Sequence, residues 1–146
     1  MKALVLYDSY FGNTKIIAET IAKELGDNTA LTSVTDFKTE MLNGVNLLIV
    51  GSPIRGWKPS ERMQVLLSTF KKDQLKGIKA TTFDTRVRIF HGDAAKAMAK
   101  KLKESGAEII INSESFDVKG QEGPLFEKEV EKAVNWAISI KQILTN

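Results

Sequence analysis

Ala3-Leu4-Val5-Leu6-Tyr7-Asp8-Ser9-Tyr10-Phe11-Gly12-Asn13-Thr14 is the stretch from which the rest of the chain can be ordered. Its first part, Ala3 to Tyr7, is apolar without alternation and stops at Asp8. A short unbroken apolar run suits a strand covered on both faces, as in a parallel sheet. After the turn, Thr14, Ala18, Ile21 and Leu25 recur at helical spacing, and Gly26 can stop the helix. The stretch therefore reads as strand, polar turn, helix.

The same unit recurs outward from it. Residues 30–34 form a weaker second strand, followed by a short helix over 35–42. Val45 to Val50 is a third strand. Gly51-Ser52-Pro53-Ile54-Arg55-Gly56-Trp57-Lys58-Pro59 carries two glycines and two prolines, and the expectation there is an irregular loop. Ser60 is a good N-cap for a helix with the stripe Met63, Leu66, Leu67 and Phe70. Lys79 to Asp84 is a fourth strand. Asp93 can cap a helix carrying Ala94, Ala95, Met98 and Leu102, which Gly106 ends. Ile109 to Ile111 is a fifth strand. A loop with Gly120 and Gly123 leads through Pro124 to a last helix, with Val130, Val134, Ala137 and Ile138 on one face.

Strand followed by helix, five times over, implies an α/β fold: a doubly wound, five-stranded parallel sheet. Right-handed crossovers leave strand order 2-1-3-4-5 as the most economical topology. Ligands in such sheets bind outside the carboxyl ends of the strands, at the crevice between strands 1 and 3. The loops beginning near Asp8, Gly51 and Asp84 are therefore the place to look.

Composition narrows the function. The chain has 146 residues, 42% hydrophobic and 27% charged, which suits one globular domain spanning 1–146. There is no cysteine, which removes disulfides, thiolate metal sites and cysteine nucleophiles. It also removes the low-molecular-weight tyrosine phosphatases, whose layout is similar but whose first loop needs a cysteine. With a single histidine, His91, neither a histidine metal site nor a histidine-dependent triad is supported, and no metal is expected. His91 itself reads as structural or solvated. Net charge is +3. The lysines at 71, 72, 100, 101 and 103 read as solvated helix faces, and no nucleic-acid-binding motif accompanies them. The apolar start stops too soon for a signal peptide, and no segment is long enough for a membrane span. The expected setting is a cytoplasmic monomer with no membrane or nucleic-acid partner.

Ser9, Asn13 and Thr14 offer side-chain hydrogen bonds, and Gly12 permits a tight backbone path. The helix that follows presents free N–H groups and the positive end of its dipole, a suitable seat for an anion such as phosphate. Neither Gly-Lys-Ser/Thr nor G-x-G-x-x-G is present, so this is not a nucleoside-triphosphate or dinucleotide loop. Taken alone, the same residues also suit a simple helix cap and turn.

Tyr7 to Ala22 resembles the phosphate-binding loop and first helix of flavodoxins, whose pattern after the first strand is Ser/Thr-x-Thr-Gly-Asn-Thr. Ser9, Gly12, Asn13 and Thr14 match. Phe11 stands where a hydroxyl is usual, and flavodoxin-like quinone reductases carry an aromatic there. Gly51 to Trp57 resembles the family's Gly-x-Pro-Thr-Trp/Tyr-Gly. Alignment puts Arg55 at the aromatic position and Trp57 two residues on, so either the Arg55 guanidinium or the Trp57 ring would stack on a flavin; Trp57 is the favoured one. The resemblance implies flavin mononucleotide (FMN) as cofactor. It assigns contacts to Ser9, Tyr10, Phe11, Gly12, Asn13 and Thr14 of the first loop. It adds Ser52, Pro53, Ile54, Arg55, Gly56 and Trp57 of the second, with Gly56 free to flip its peptide. Asp84, Thr85, Arg86 and Gly92 of the third complete the set, with Arg86 near the flavin's pyrimidine edge.

The implied function is an electron carrier between redox partner proteins rather than an enzyme with its own substrate. The alternatives are an FMN-dependent quinone-type oxidoreductase and a flavin-free interaction module. A response-regulator receiver is disfavoured, because Gly51-Ser52 occupies the phosphoacceptor region. Arg55, Lys58, Arg86 and Arg88 fall in the cofactor loops, where the family is usually acidic. That implies a less negative potential for full reduction and an acidic partner drawn by electrostatic steering.

Overall fold

The structure is a computed structural model that describes residues 1–88 and 92–146; His91 lies outside the described residues. In chain order the elements are β1 (Ala3–Tyr7), α1 (Asn13–Leu25), β2 (Thr29–Ser33), a 3-10 turn (Thr39–Leu42), β3 (Leu47–Arg55) and β4 (Lys58–Pro59). There follow α2 (Glu61–Ser68), β5 (Lys79–Val87), α3 (Ala94–Glu104), β6 (Glu108–Ile109), β7 (Glu114–Val118) and α4 (Glu129–Thr145).

The sheet runs β2-β1-β3-β5-β6, with β7 also on β5 and β4 on β3. All pairings in the main sheet are parallel, so the expected order holds, with β6 and β7 sharing the fifth position. Alternate residues of each strand feed opposite layers. Leu4, Leu6, Leu48 and Val50 join Met63 and Leu67 of α2 and Met98 and Leu102 of α3. Ala3, Val5, Leu47 and Ile49 join Ile17 and Ile21 of α1 and Ala133, Ala137 and Ile140 of α4. Register then decides the site: Tyr7 lies beside Gly51, and Ser52 and Pro53 beside Asp84 and Thr85. β1 thus ends opposite Gly51, while β3 and β5 run on side by side to Arg55 and Val87, so the loop after β1 lies beside their extended ends.

Four expectations need correction. The stretch 51–59 is not irregular. β3 continues to Arg55 and returns as β4, pairing Ile54 with Pro59 and Arg55 with Lys58. Gly56 and Trp57, with φ of 57° and 70°, make the two-residue connection, and two positive φ values match the twist of paired strands. Pro59 sits in a two-residue edge strand, where a missing N–H is tolerated. Gly51 is required for a different reason: a Cβ there would lie 2.0 Å from Cζ of Phe83.

The fifth strand is two pieces, Glu108–Ile109 and Glu114–Val118, rather than 109–111. Side chains of β5 bridge the gap. Thr81 donates to the Ile111 carbonyl at 3.1 Å, and the Thr82 and Ser113 hydroxyls are 2.7 Å apart. The helix expected over 35–42 is only the 3-10 turn. In α4 the buried face is Ala133, Trp136, Ala137 and Ile140, and Val130 is exposed. Trp136 sets that face, because its ring packs edge-on against Phe83 and Phe116, centroids 6.2 Å apart in both cases.

Candidate functional site

The residues after β1 are fixed from below by a buried carboxylate. Asp8, 2% exposed, accepts the Ser9 N–H at 2.9 Å and the Ser60 hydroxyl at 2.6 Å. Arg62 of α2 closes on it with two bonds, Nη2 to Oδ1 at 2.6 Å and Nε to Oδ2 at 3.0 Å. That contact holds the Arg62 guanidinium above its ordinary pKa. The same guanidinium reaches the Ser9 carbonyl and lies 4.1 Å from the centre of the Tyr10 ring. Arg55 lies over that ring too, at 4.3 Å. Arg55 lines the cleft, whereas Arg62 lines a separate groove beside α2, so Tyr10 is the wall between two concavities.

A second buried carboxylate sits within β5. Asp84 is fully buried and accepts the Ala95 N–H at 2.9 Å and Arg86 at 2.6 and 2.9 Å. Hydrogen bonding to Asp84 raises the Arg86 pKa. A buried charge requires a matched partner and hydrogen bonds to its remaining lone pairs, and both carboxylates have them.

Above these two clamps lies an open cleft at the carboxyl ends of the strands, where ligands of such sheets bind. Ser9, Tyr10, Phe11, Asn13, Thr14, Pro53, Ile54, Arg55, Thr85 and Arg86, all expected site residues, line it. Val87, Val118 and Gln121 line it as well. Thr14 and Thr85 tie the start of α1 to β5, hydroxyl to hydroxyl at 2.8 Å. The Ser9 hydroxyl accepts the Gly12 N–H at 3.0 Å, and Asn13 donates to the Glu122 carbonyl at 3.1 Å.

The other expected residues sit around the cleft rather than in its lining. Gly12, at φ 92°, turns the chain into α1. Ser52 is buried, its hydroxyl accepting the Ser60 N–H at 2.9 Å. Asp84 lies beneath, committed to its clamp. Gly56 and Trp57 form the hairpin tip, with Trp57 59% exposed. Gly92 packs under that tip: a Cβ there would be 1.9 Å from the Trp57 carbonyl oxygen.

A phosphate fits this site. α2 and α3 are capped by the side chains of Ser60 and Asp93, but α1 has no side-chain cap and no acid in its first turn. Its leading N–H groups are left for an external acceptor, and an anion is the favoured one. Beside them, Phe11, Pro53, Ile54, Val87 and Val118 provide apolar walls for a planar ring system. Sequence reading missed Arg62, Val87, Val118 and Gln121. Nothing local in the sequence marks Arg62, and only the tertiary approach of α2 to Asp8 gives it a role. Val87 and Val118 end strands whose extent the sequence did not signal, and Gln121 lies in the turn after β7.

A doubly wound α/β sheet with an anion seat after β1 and an apolar cleft at the switch point is the arrangement of a nucleotide-type cofactor protein. The flavodoxin-domain family model matches residues 4–116. A flavodoxin from Maridesulfovibrio salexigens is 30% identical over 126 residues, covering 80% of this chain and 86% of that one. The chain therefore belongs to the flavodoxin family, which implies a flavin cofactor. Among solved structures, oxidised flavodoxin 2 from Bacillus cereus superposes with a TM-score of 0.85 at 24% identity, covering 97% of this chain and 99% of that chain. A flavodoxin from the domain Archaea gives 0.78 at 22% identity, with both chains fully covered. At these identities the superpositions speak for the fold.

Proposed function

We propose that this chain, acting as one unit over 1–146 in the cytoplasm, binds FMN and passes electrons between redox partner proteins. The uncapped start of α1 at the switch point carries the reading, because it offers an anion seat directly beside an apolar cleft. FMN would supply the redox chemistry. The protein's residues do the rest. Ser9, Asn13 and Thr14 with the α1 N–H groups hold the phosphate, and the Asp8–Arg62 clamp keeps their loop in shape. Pro53, Ile54 and Arg55 form one wall for the ring, which makes Arg55 rather than Trp57 the side chain nearest to it. Thr85 and Arg86 face it from β5. Flavodoxins transfer electrons to redox partners, and membership of that family supports this role.

The test is an absorption spectrum followed by titration of the cofactor-free protein. A yellow flavin spectrum, lost on denaturation and restored by FMN far better than by riboflavin, is the expected result. A colourless protein that ignores added FMN leaves the fold standing and favours the flavin-free module. Rapid turnover of a nicotinamide donor with quinones would favour the oxidoreductase instead.

A further inference from the structure

The β3–β4 hairpin carries a tryptophan that neither the fold nor the cleft uses. Trp57 is 59% exposed and lies outside the cleft lining. Its φ of 70° is a conformation that asparagine or glycine adopts readily and a bulky residue does not. A side chain kept at a strained, solvent-facing position without packing in return points to a role outside the monomer. The backbone of the tip is also closely backed: Gly92 lies against the Trp57 backbone so tightly that no Cβ fits there.

The residues on either side of the tip set the chemistry of what meets it. Arg88, Lys119 and Arg86 are each ion-paired, to Asp117, to Glu127 and to Asp84 with Asp93. Arg55 and Lys58, which flank Gly56-Trp57, form no ion pair among the described residues. Lys58 also borders a shallow hollow with Lys101 of α3, extending the positive surface away from the cleft. An exposed tryptophan between two uncompensated cations is the composition of an interface anchor: the ring fills an apolar pocket and the cations meet carboxylates around it.

We infer that the hairpin Arg55–Lys58 is the docking element for an acidic protein partner, with Trp57 as its anchor and Lys58 as its steering charge. The inference rests on the electron-carrier reading for the partner's being a redox protein, and on the hairpin alone for its charge. Arg55 belongs to both the hairpin and the cleft wall, so a partner seated there lies against the mouth of the cofactor site.

Calorimetric titration tests this, with an acidic [2Fe–2S] ferredoxin and basic cytochrome c as probes, on the chain with and without FMN. The ferredoxin is expected to bind and cytochrome c not, and the affinity should fall about tenfold or more between ~10 and ~300 mM salt. Trp57→Asn and Lys58→Glu should each weaken it about tenfold, with melting temperature and FMN affinity retained, since asparagine suits the positive φ. Tighter binding of cytochrome c, or unchanged ferredoxin binding by both variants, overturns the proposal. So does a loss of FMN affinity in Trp57→Asn, which would make Trp57 a cofactor residue. Ferredoxin binding by the FMN-free chain keeps the docking surface even where the FMN reading fails.

Discussion

Arg62 is the residue through which α2 governs the cofactor loop. Its fork matches the Asp8 carboxylate, and its plane covers Tyr10, so lysine is no substitute. Arg62→Met strands a carboxylate that is 2% exposed and should cost about 2 kcal/mol in denaturant unfolding. The FMN-over-riboflavin preference should shrink as well, because the phosphate loop loses its brace while the ring walls stay. Asp8→Asn in the same chain removes the stranded charge, so the double variant should recover part of the stability; simple additivity in that cycle would argue against the clamp. Arg55 has the opposite character, since it forms no ion pair among the described residues and lines the cleft. Arg55→Gln should make full reduction of the bound flavin harder by some tens of millivolts, at about 59 mV per tenfold change for one electron. Potentiometry showing no shift would assign the tuning to other groups. Arg86 is a poorer choice for that experiment, because its charge already balances Asp84.

At the level of elements, Ser60 carries more than a cap. Its hydroxyl accepts the Met63 N–H at 3.2 Å and donates to Asp8, while its own N–H goes to Ser52. Ser60→Ala should therefore exceed the usual loss of about 1 kcal/mol for an N-cap and approach 2. A value well below 1 by chemical denaturation would mean the Asp8 contact contributes nothing. Both side-chain caps, at Ser60 and Asp93, were legible in the sequence, as was the strand order, because apolar periodicity and capping are local signals. The hairpin was not. Its glycines and prolines signal a break, and only the closeness of Phe83 to Gly51 and of Gly92 to Trp57 shows why a strand persists. β7 was hidden likewise, since Glu114, Ser115 and Asp117 dilute its apolar content and its partner β5 lies far off in sequence. The candidate site was largely legible as loops. What escaped was which side chains turn inward, because Asp84 and Ser52 are consumed by contacts that no local pattern reveals.

For the whole molecule, the two core layers meet across three central strands. β1, β3 and β5 are buried on both faces, whereas β2 is an edge strand with exposed Leu31 and no helix between it and the 3-10 turn. Native-state hydrogen exchange should place β1, β3 and β5 in the slowest class and β2 in a faster one. Equal protection across the sheet would mean that the edge unfolds only with the rest. The aromatic cluster offers one further consequence. The chain has two tryptophans, and they live in opposite surroundings: Trp136 is 6% exposed between Phe83 and Phe116, and Trp57 stands in water at the hairpin tip. Their emission should separate into a blue, quencher-resistant component and a red, quencher-accessible one. The protein thus carries two built-in optical probes, one that reports on the integrity of its interior and one that reports on whatever touches its rim.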